Sequence, residues 1–452
     1  MKPIFSEHSV DTIAAIATAT GQAGIGIIRI SGPAVPNMFL PLLGSSLKPR
    51  VATHKDFLAE DGAAIDTGLA LYFPSPASFT GEDVLELQGH GGMLVLQHLL
   101  KRCLALGTRL AQPGEFTRRA VLNDKLDLAQ AESIIDLINA QSEAAIKNAM
   151  RSLKGDFSDK INQLVQDITT LRAMIEATFD FAEEDIDLLS HTQIQHDIKV
   201  LQTQLRSIKA SAQQGAMLRN GAHIVLIGAP NVGKSSLLNV LANDDIAIVN
   251  EIPGTTRDAL REMILVEGIP LHIIDTAGLR YTEDELEKAG IVRTWSAIHQ
   301  ADVALILIDR RYGLTEETQA LLKDLPPNLL RIKVYNKIDL TDEKPLIFQE
   351  EKDPAILLSA KHRWGIDLLR KQLLLCIGWH GSHEGLFLAR ERHLEAIFEA
   401  TQYVDEAATP GNPLELAAES LRLAQNALNL ITQAVSSEDL LDQIFSTFCI
   451  GK

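Results

Sequence analysis

The sequence predicts a multidomain chain in which an α+β region precedes a helical region, itself interrupted by a parallel α/β sheet. Three observations carry this. The length of 452 residues, at roughly 150 residues per domain, gives about three domains. Near Asn123 the pattern switches from short apolar runs punctuated by Gly and Pro to apolar residues three and four apart. At His223 it switches again, to buried-strand runs alternating with helical stretches, and after Trp379 it returns to helix.

In order along the chain, Asp11–Thr20, Gly26–Ser31, Leu69–Phe73 and Val84–Leu87 read as β-rich runs, with one helix-like piece at Met93–Leu106. Phe157, Ile161, Leu164, Ile168, Leu171 and Ile175 draw one helix face. Ile194, Ile198, Leu201, Leu205, Ile208 and Ala212 draw another. The acidic stretch 180–187 between them reads as a solvated inter-helix loop. Ile224–Ile227, Leu271–Ile274, Val303–Ile308 and Ile332–Tyr335 are the strand candidates of the parallel sheet, which closes with a helix at Ile366–Leu375. Helical stretches follow near Arg390–Tyr403, Leu414–Ile431 and Glu438–Phe445. The expected division is 1–121, 122–217, 218–378 and 379–452, the second and fourth parts forming one split helical domain.

Composition excludes several classes. The chain is 46% hydrophobic and 22% charged, as a globular protein is. With 42 Lys+Arg against 59 Asp+Glu, the net charge of −17 argues against a generic nucleic-acid coat, which needs clustered cations to displace phosphate counterions. Cys103, Cys376 and Cys449 form no CxxC pair, which excludes a zinc ribbon or disulfide scaffold and fits a reducing compartment. Glu7, His8 and Asp11 stand where a signal peptide would be basic and then apolar. No run approaches the ~18 apolar residues of a membrane span. A cytoplasmic protein with no membrane partner is expected.

The residues Gly228-Ala229-Pro230-Asn231-Val232-Gly233-Lys234-Ser235, followed by Ser236, match GxxxxGK[ST] between an apolar strand and a helix at Leu237–Leu241. In that context backbone N–H groups wrap phosphates, Lys234 reaches the β/γ-phosphates and Ser235 binds Mg²⁺. Asp275-Thr276-Ala277-Gly278 ends the Leu271–Ile274 strand. There Asp275 faces the Mg²⁺ shell and Gly278 senses the γ-phosphate. Asn336-Lys337-Ile338-Asp339 follows another strand, with Asp339 offering a carboxylate to the guanine N1–H and 2-amino group. Ser359-Ala360-Lys361 closes over the base. This ordered set predicts a Ras-like P-loop GTPase domain, inserted in the helical domain, that binds GTP and GDP.

Two details qualify it. Ras-type enzymes orient the attacking water with Gln after DxxG. Leu279 stands there, so another group must hold the water, and any one of Glu287 and its acidic neighbours Glu283, Asp284 and Glu285 could act through a water. Asn231 within the phosphate loop, together with the Asn250–Arg257 loop (Asn250, Glu251, Ile252, Pro253, Gly254, Thr255, Thr256), can hold a monovalent cation in place of an arginine finger.

At this point the sequence resembles the MnmE (TrmE) family of tRNA-modification GTPases over its full length. Three regions outside the GTPase core carry the resemblance: Phe79-Thr80-Gly81-Glu82-Asp83 through Gly92; Pro113-Gly114-Glu115-Phe116 through Glu132; and Phe448-Cys449-Ile450-Gly451-Lys452. The resemblance implies an N-terminal α+β folate-binding and dimerisation domain, a split helical domain and the inserted GTPase domain. It implies a homodimer that works with a flavin-dependent partner, MnmG (GidA), in a heterotetramer. Together they install an aminomethyl or carboxymethylaminomethyl group at C5 of the wobble uridine of certain tRNAs. The one-carbon unit comes from a tetrahydrofolate derivative (5,10-methylene or 5-formyl), and FAD resides only on the partner.

Residue by residue, the resemblance puts potassium on Asn231 with backbone groups of Asn250, Ile252 and Thr255, Mg²⁺ on Ser235 and Thr256, and water positioning on Glu287. Arg29, Glu86, Lys125 and Lys452 fall at its folate-contacting positions, and Cys449 at a suggested nucleophile that would need a positive neighbour such as Lys452 to form thiolate. Ala229 stands where members often carry Arg. The negative overall charge requires a local basic patch for tRNA, with Arg118-Arg119 and Arg390/Arg392 as possible contacts. A ribosome-assembly GTPase is the alternative reading, weakened by the lack of a basic appendage; a pure protein-binding switch is the third.

Overall fold

The computed structural model describes residues 11–19, 21–180, 191–243, 261–275, 295, 298–381, 385–433 and 438–451. The chain falls into two compact units, residues 1–135 with 153–173 and 421–452, and residues 136–152 with 174–420.

The first unit is built on a six-stranded sheet in the order β3-β4-β5-β2-β1-β6. Its strands are β1 (Ile13–Ile16), β2 (Ala23–Ser31), β3 (Thr53–Leu58), β4 (Ala64–Phe73), β5 (Val84–Gly91) and β6 (Arg109–Leu110). Pairing is antiparallel except β1 with β6. Side chains alternate across a strand, and this decides the layout. Ile28, Ile30, Leu85 and Leu87 point to one face and pack with α1 (Val35–Leu43) and α2 (Met93–Ala105) through Met38, Leu42, Leu96 and Leu99. Ile13 and Ala15 point the other way, onto Phe116 of α3 (Glu115–Leu122).

Sequence patterning predicts one helix in the N-terminal α+β region, and three are found among its described residues. The α1 segment hides behind its prolines, which read as punctuation, yet one occupies the first helical turn, where a missing N–H costs nothing. The α3 segment hides behind its charge, since Glu115, Arg118 and Arg119 are buried as completely as its apolar residues.

The helical segments are α4 (Leu128–Ile138), α5 (Glu143–Leu153), α6 (Asp156–Asp180) and α7 (His191–Asn220). Both predicted stripes are buried throughout, from Phe157 to Ile175 and from Ile194 to Ala212. Each of the Phe, Leu and Ile side chains contributes about 1.5–3 kcal/mol of burial, so periodicity and core coincide. Most of the acidic 180–187 stretch lies outside the described residues.

In the second unit a seven-stranded sheet runs β12-β13-β11-β10-β7-β9-β8. It comprises β7 (Ala222–Gly228), α8 (Lys234–Asn243), β8 (Arg261–Val266), β9 (Ile269–Asp275), β10 (Val303–Asp309), α9 (Glu316–Asp324), β11 (Leu330–Asn336), β12 (Leu346–Glu350), β13 (Asp353–Leu357) and α10 (Ile366–Cys376). The four predicted strands form its parallel centre. The edges β8 and β12 run antiparallel to their neighbours. Sequence patterning missed β8, β12 and β13, whose mixed polar and apolar residues lack a continuous buried run. Leu226, Ile273, Leu305 and Val334 fill one side of the sheet; Val225, Ile227, Ile306 and Ile308 fill the other. That two-sided burial is why the central strands read as continuous apolar runs. The remaining helices are α11 (Glu391–Ala407), α12 (Leu414–Thr432) and α13 (Glu438–Ser446).

Candidate nucleotide site and N-terminal charged pocket

In an open α/β sheet, ligands gather beyond the carboxyl ends of the strands, where the strand order reverses. Here β7 lies between β9 and β10, and its end leads into the glycine loop and α8. Asn231 takes a left-handed φ of 58°, and Gly233 a φ of 105°. A Cβ on Gly233 would stand 2.3 Å from Asn336 Nδ2, so only glycine fits. Lys234 Nζ donates to the Gly228 carbonyl at 2.7 Å, folding its ammonium back over the loop. Ser235 and Ser236, in the first turn of α8, are exposed beside the loop.

Asn336 ties three of the predicted motifs together. Its Nδ2 donates to the Val232 carbonyl (2.9 Å), and its Oδ1 accepts from the N–H groups of Lys337 (2.8 Å) and Ala360 (3.0 Å). Lys337 Nζ donates to the Asn231 carbonyl at 2.7 Å. The largely buried Asp339 carboxylate accepts from Ser359 Oγ at 2.6 Å, which fixes its orientation. Ser359 is fully buried, while Lys361 is exposed. Asp275 ends β9, its backbone paired in register with Leu226, two residues before the glycine loop. The structure therefore gathers Asn231 to Ser236, Asn336, Lys337, Asp339, Ser359 and Ala360 at one end of the sheet. Asn250, Glu251, Ile252, Pro253, Gly254, Thr255, Thr256, Thr276, Ala277, Gly278 and Glu287 lie outside the described residues.

In the first unit, the alternation that sends Ile28 and Leu87 to the helices sends Arg29 and Glu86 to the opposite face. The two are directly cross-strand and form an ion pair of 2.9 Å. The Arg29 guanidinium lies 5.6 Å from the ring centroid of Phe79 and 5.8 Å from that of Phe116, and also donates to the Gly451 carbonyl at 3.4 Å. The segment around Gly451 is pinned to the sheet. Ile450 pairs antiparallel with Pro113, and a Cβ on Gly451 (φ 99°) would stand 2.5 Å from the Ile16 carbonyl. Cys449 is exposed, its carbonyl accepting from the Gly114 N–H at 3.4 Å. Lys125 is exposed, with its Cε 3.5 Å from where a Cβ on Gly81 would stand. Lys452 lies outside the described residues.

Beside this ion pair sits a largely buried charge network that sequence reasoning did not anticipate. Arg119 donates to Asp11 (2.7 Å), Glu115 (2.9 Å) and Glu82 (3.1 Å), and Glu82 in turn accepts from Ser31 Oγ. Arg109 also bonds Asp11 and Glu115. Burial alone would raise the Glu115 carboxyl, but Arg109, the Gln112 N–H and Arg119 hold it below the usual carboxylate range. Burial pulls Arg119 down, and Glu82, Glu115 and Asp11 more than reverse it. Arg118, also buried, bonds Asp442 at 2.8 Å. Arg118 and Arg119, the possible RNA contacts, are therefore buried and already engaged by carboxylates of the fold, Arg118 by the exposed Asp442 and Arg119 by Asp11, Glu82 and Glu115. Arg390 is likewise mostly buried and reaches Asp136 at 3.0 Å.

The chain matches the family described as MnmE helical domain over residues 128–449, and that described as GTP-binding protein TrmE N-terminus over residues 12–125. It is 54% identical over 442 residues to the tRNA modification GTPase MnmE of Chromobacterium violaceum, covering 98% of each chain. It is 56% identical over 445 residues to the protein of the same name from Neisseria meningitidis serogroup A, covering 98% of this chain and 99% of that one. The chain belongs to the MnmE family. The predicted architecture of P-loop GTPase, helical region and N-terminal α+β region holds for it. Among the described residues no helix is long and apolar enough to cross a membrane.

Proposed function

We propose that this protein is a GTPase acting in tRNA modification, hydrolysing GTP to drive a conformational cycle while a one-carbon transfer proceeds elsewhere in the assembly. The observation that carries the GTPase reading is the convergence of the glycine loop with Asn336, Lys337 and Asp339. Backbone N–H groups of the loop and the α8 N-terminus bind the phosphates, Lys234 swings from the Gly228 carbonyl to the β/γ-phosphates, and Asp339 reads the guanine edge. Ser235 and Thr256 would hold Mg²⁺, with Asp275 facing its shell. The exposure of Ser235 next to the loop fits that role.

Potassium dependence rests on Asn231. Among the described residues its side-chain amide has no hydrogen-bond partner, so its oxygen is available to a cation, with Asn250, Ile252 and Thr255 completing the set. A potassium ion held there would supply positive charge opposite the negative charge that develops between the β- and γ-phosphates. Glu287 positions the attacking water.

The Arg29–Glu86 pair, flanked by Phe79 and Phe116, supports the tetrahydrofolate reading, since it offers a carboxylate, a guanidinium and aromatic faces to a flat polar heterocycle with an anionic tail. Lys125 and Lys452 would meet that tail, and the exposed Cys449 would be the nucleophile toward the uridine. Tetrahydrofolate contributes the one-carbon unit. The remaining parts of the proposal are a homodimer through residues 1–121, an MnmG flavoprotein partner, a helical domain split between 122–217 and 379–452 around a GTPase domain at 218–378, and a cytoplasmic location.

The test is mass spectrometry of tRNA wobble nucleosides from cells lacking the protein. Loss of the C5-aminomethyl-type uridine, restored by wild type but not by Asp275→Ala, supports the proposal. An unchanged nucleoside profile overturns it.

A further inference from the structure

Asp309 belongs to none of the motifs that define the nucleotide site, yet it ends β10 in register with Asn336 and faces the glycine loop. Its carboxylate is almost buried, at 12% side-chain exposure, and is held from two sides. Arg311 donates its backbone N–H (3.1 Å) and Nε (3.0 Å) to Oδ1, and Nη2 (2.8 Å) to Oδ2. Lys337 Nζ donates to the same Oδ2 at 2.8 Å and, from the same ammonium, to the Asn231 carbonyl at 2.7 Å. The bonds to Arg311, opposed by burial and aided by Lys337, keep Asp309 ionised well below the usual carboxylate range.

Both backbones bridged by that ammonium are themselves constrained. Lys337 has a φ of 69° and Asn231 a φ of 58°, conformations that cost a non-glycine residue about 1 kcal/mol or more. Asp309 anchors the lysine ammonium from the side away from the loop carbonyl. Arg311, Asp309, Lys337 and the Asn231 carbonyl form one continuous chain of charge-assisted bonds.

We propose that Asp309, backed by Arg311, is a positioning residue for guanine-nucleotide binding, which acts only through Lys337 by clamping its ammonium on the phosphate-binding loop. This rests on the GTPase reading above and adds two residues to the site. The base edge is read by Asp339 on the far side of Lys337. Asp309 therefore sets how tightly a purine nucleoside triphosphate is held without setting which purine is chosen.

The experiment is a double-mutant cycle read by binding of a fluorescent non-hydrolysable GTP analogue to the full chain. Asp309→Asn keeps the size and turns an acceptor pair into a half-donor. Its affinity falls about tenfold, the loss of one hydrogen bond between charged groups. Lys337→Met weakens binding at least as much. Asp309→Asn placed on Lys337→Met adds less than about twofold, because residues acting through one another are not additive. In Asp309→Asn, an inosine triphosphate analogue loses affinity by the same factor as the guanine one.

Additive losses, or a loss confined to the guanine nucleotide, overturn the inference. If Asp309→Asn fails to fold, as its melting curve shows, Arg311→Gln substitutes, with a loss of about threefold that disappears on Lys337→Met. A wild-type chain that binds no GTP analogue overturns the GTPase reading itself. Binding by the wild type with an additive cycle overturns only the clamp.

Discussion

Lys234 of the nucleotide cradle and the arginines of the N-terminal unit are used in opposite ways. In the cradle, Lys234 donates to the Gly228 carbonyl of the glycine loop, while Lys337 is shared between the Asn231 carbonyl and the Asp309 carboxylate. A carbonyl is a neutral acceptor that a phosphate oxygen outcompetes, so the Lys234 ammonium is set to change partners, whereas Lys337 stays held by Asp309. In the N-terminal unit, Arg29, Arg109, Arg118 and Arg119 all face carboxylates. Charge there is matched within the fold and builds shape. The comparison teaches that a cation's role is read from its resting partner more surely than from its exposure.

Substitutions can break this contrast. The largest effect is expected at Arg119, where alanine leaves the buried Glu115 and the half-buried Asp11 and Glu82 around a lost cation. Removing one partner of such a network costs about 3–5 kcal/mol, seen as a lower melting temperature of the N-terminal unit, with its circular dichroism transition separating from that of the rest. A shift under a degree would show that the network is incidental. Lys234→Ala should leave melting within a degree or two of wild type and weaken GTP binding about a hundredfold, as loss of a charged phosphate contact does; isothermal titration decides.

Glu86→Gln comes next. It leaves Arg29 without its carboxylate, and tetrahydrofolate affinity should fall about tenfold while GTP hydrolysis stays within twofold. Equal losses in both activities would mean that the two sites are not separable in this way.

The smallest effect is on pH dependence. The Glu115 carboxyl is depressed in the fold, so its contribution is complete above its unfolded value of about 4.3 and is lost as pH falls through the lower folded one. Acid unfolding of the first unit should thus steepen below about pH 4, and Glu115→Gln should flatten it.

The same contrast explains what could be read from sequence. The glycine loop, Asn336-Lys337-Ile338-Asp339 and Ser359-Ala360-Lys361 are contiguous, because backbone geometry and strand ends dictate their spacing; residues 231–236, 336, 337, 339, 359 and 360 do converge. The helical stripes were legible for an equally local reason. Asp309 was not, since a single aspartate at a strand end carries no pattern until its register with Asn336 is known. Arg29 and Glu86 are ordinary charges in sequence, and only strand pairing makes them a pair. The residues of α3 misled for the reverse reason: Arg118 and Arg119 look like surface cations because their partners, Asp11, Glu82 and Asp442, lie far away along the chain.

The seam at Gly451 also constrains how the protein is made. Arg29 and the Gly451 carbonyl that it meets are 422 residues apart, and Arg118 and Asp442 are 324 apart. A ribosome adding residues one by one finishes the six-stranded sheet early, with its α3 face uncovered until the segment near residue 450 leaves the exit tunnel. The whole P-loop unit must be synthesised in the interval. The N-terminal unit therefore waits through most of translation before Leu441, Ile444, Phe445 and Phe448 can pack against Val121 and Leu128.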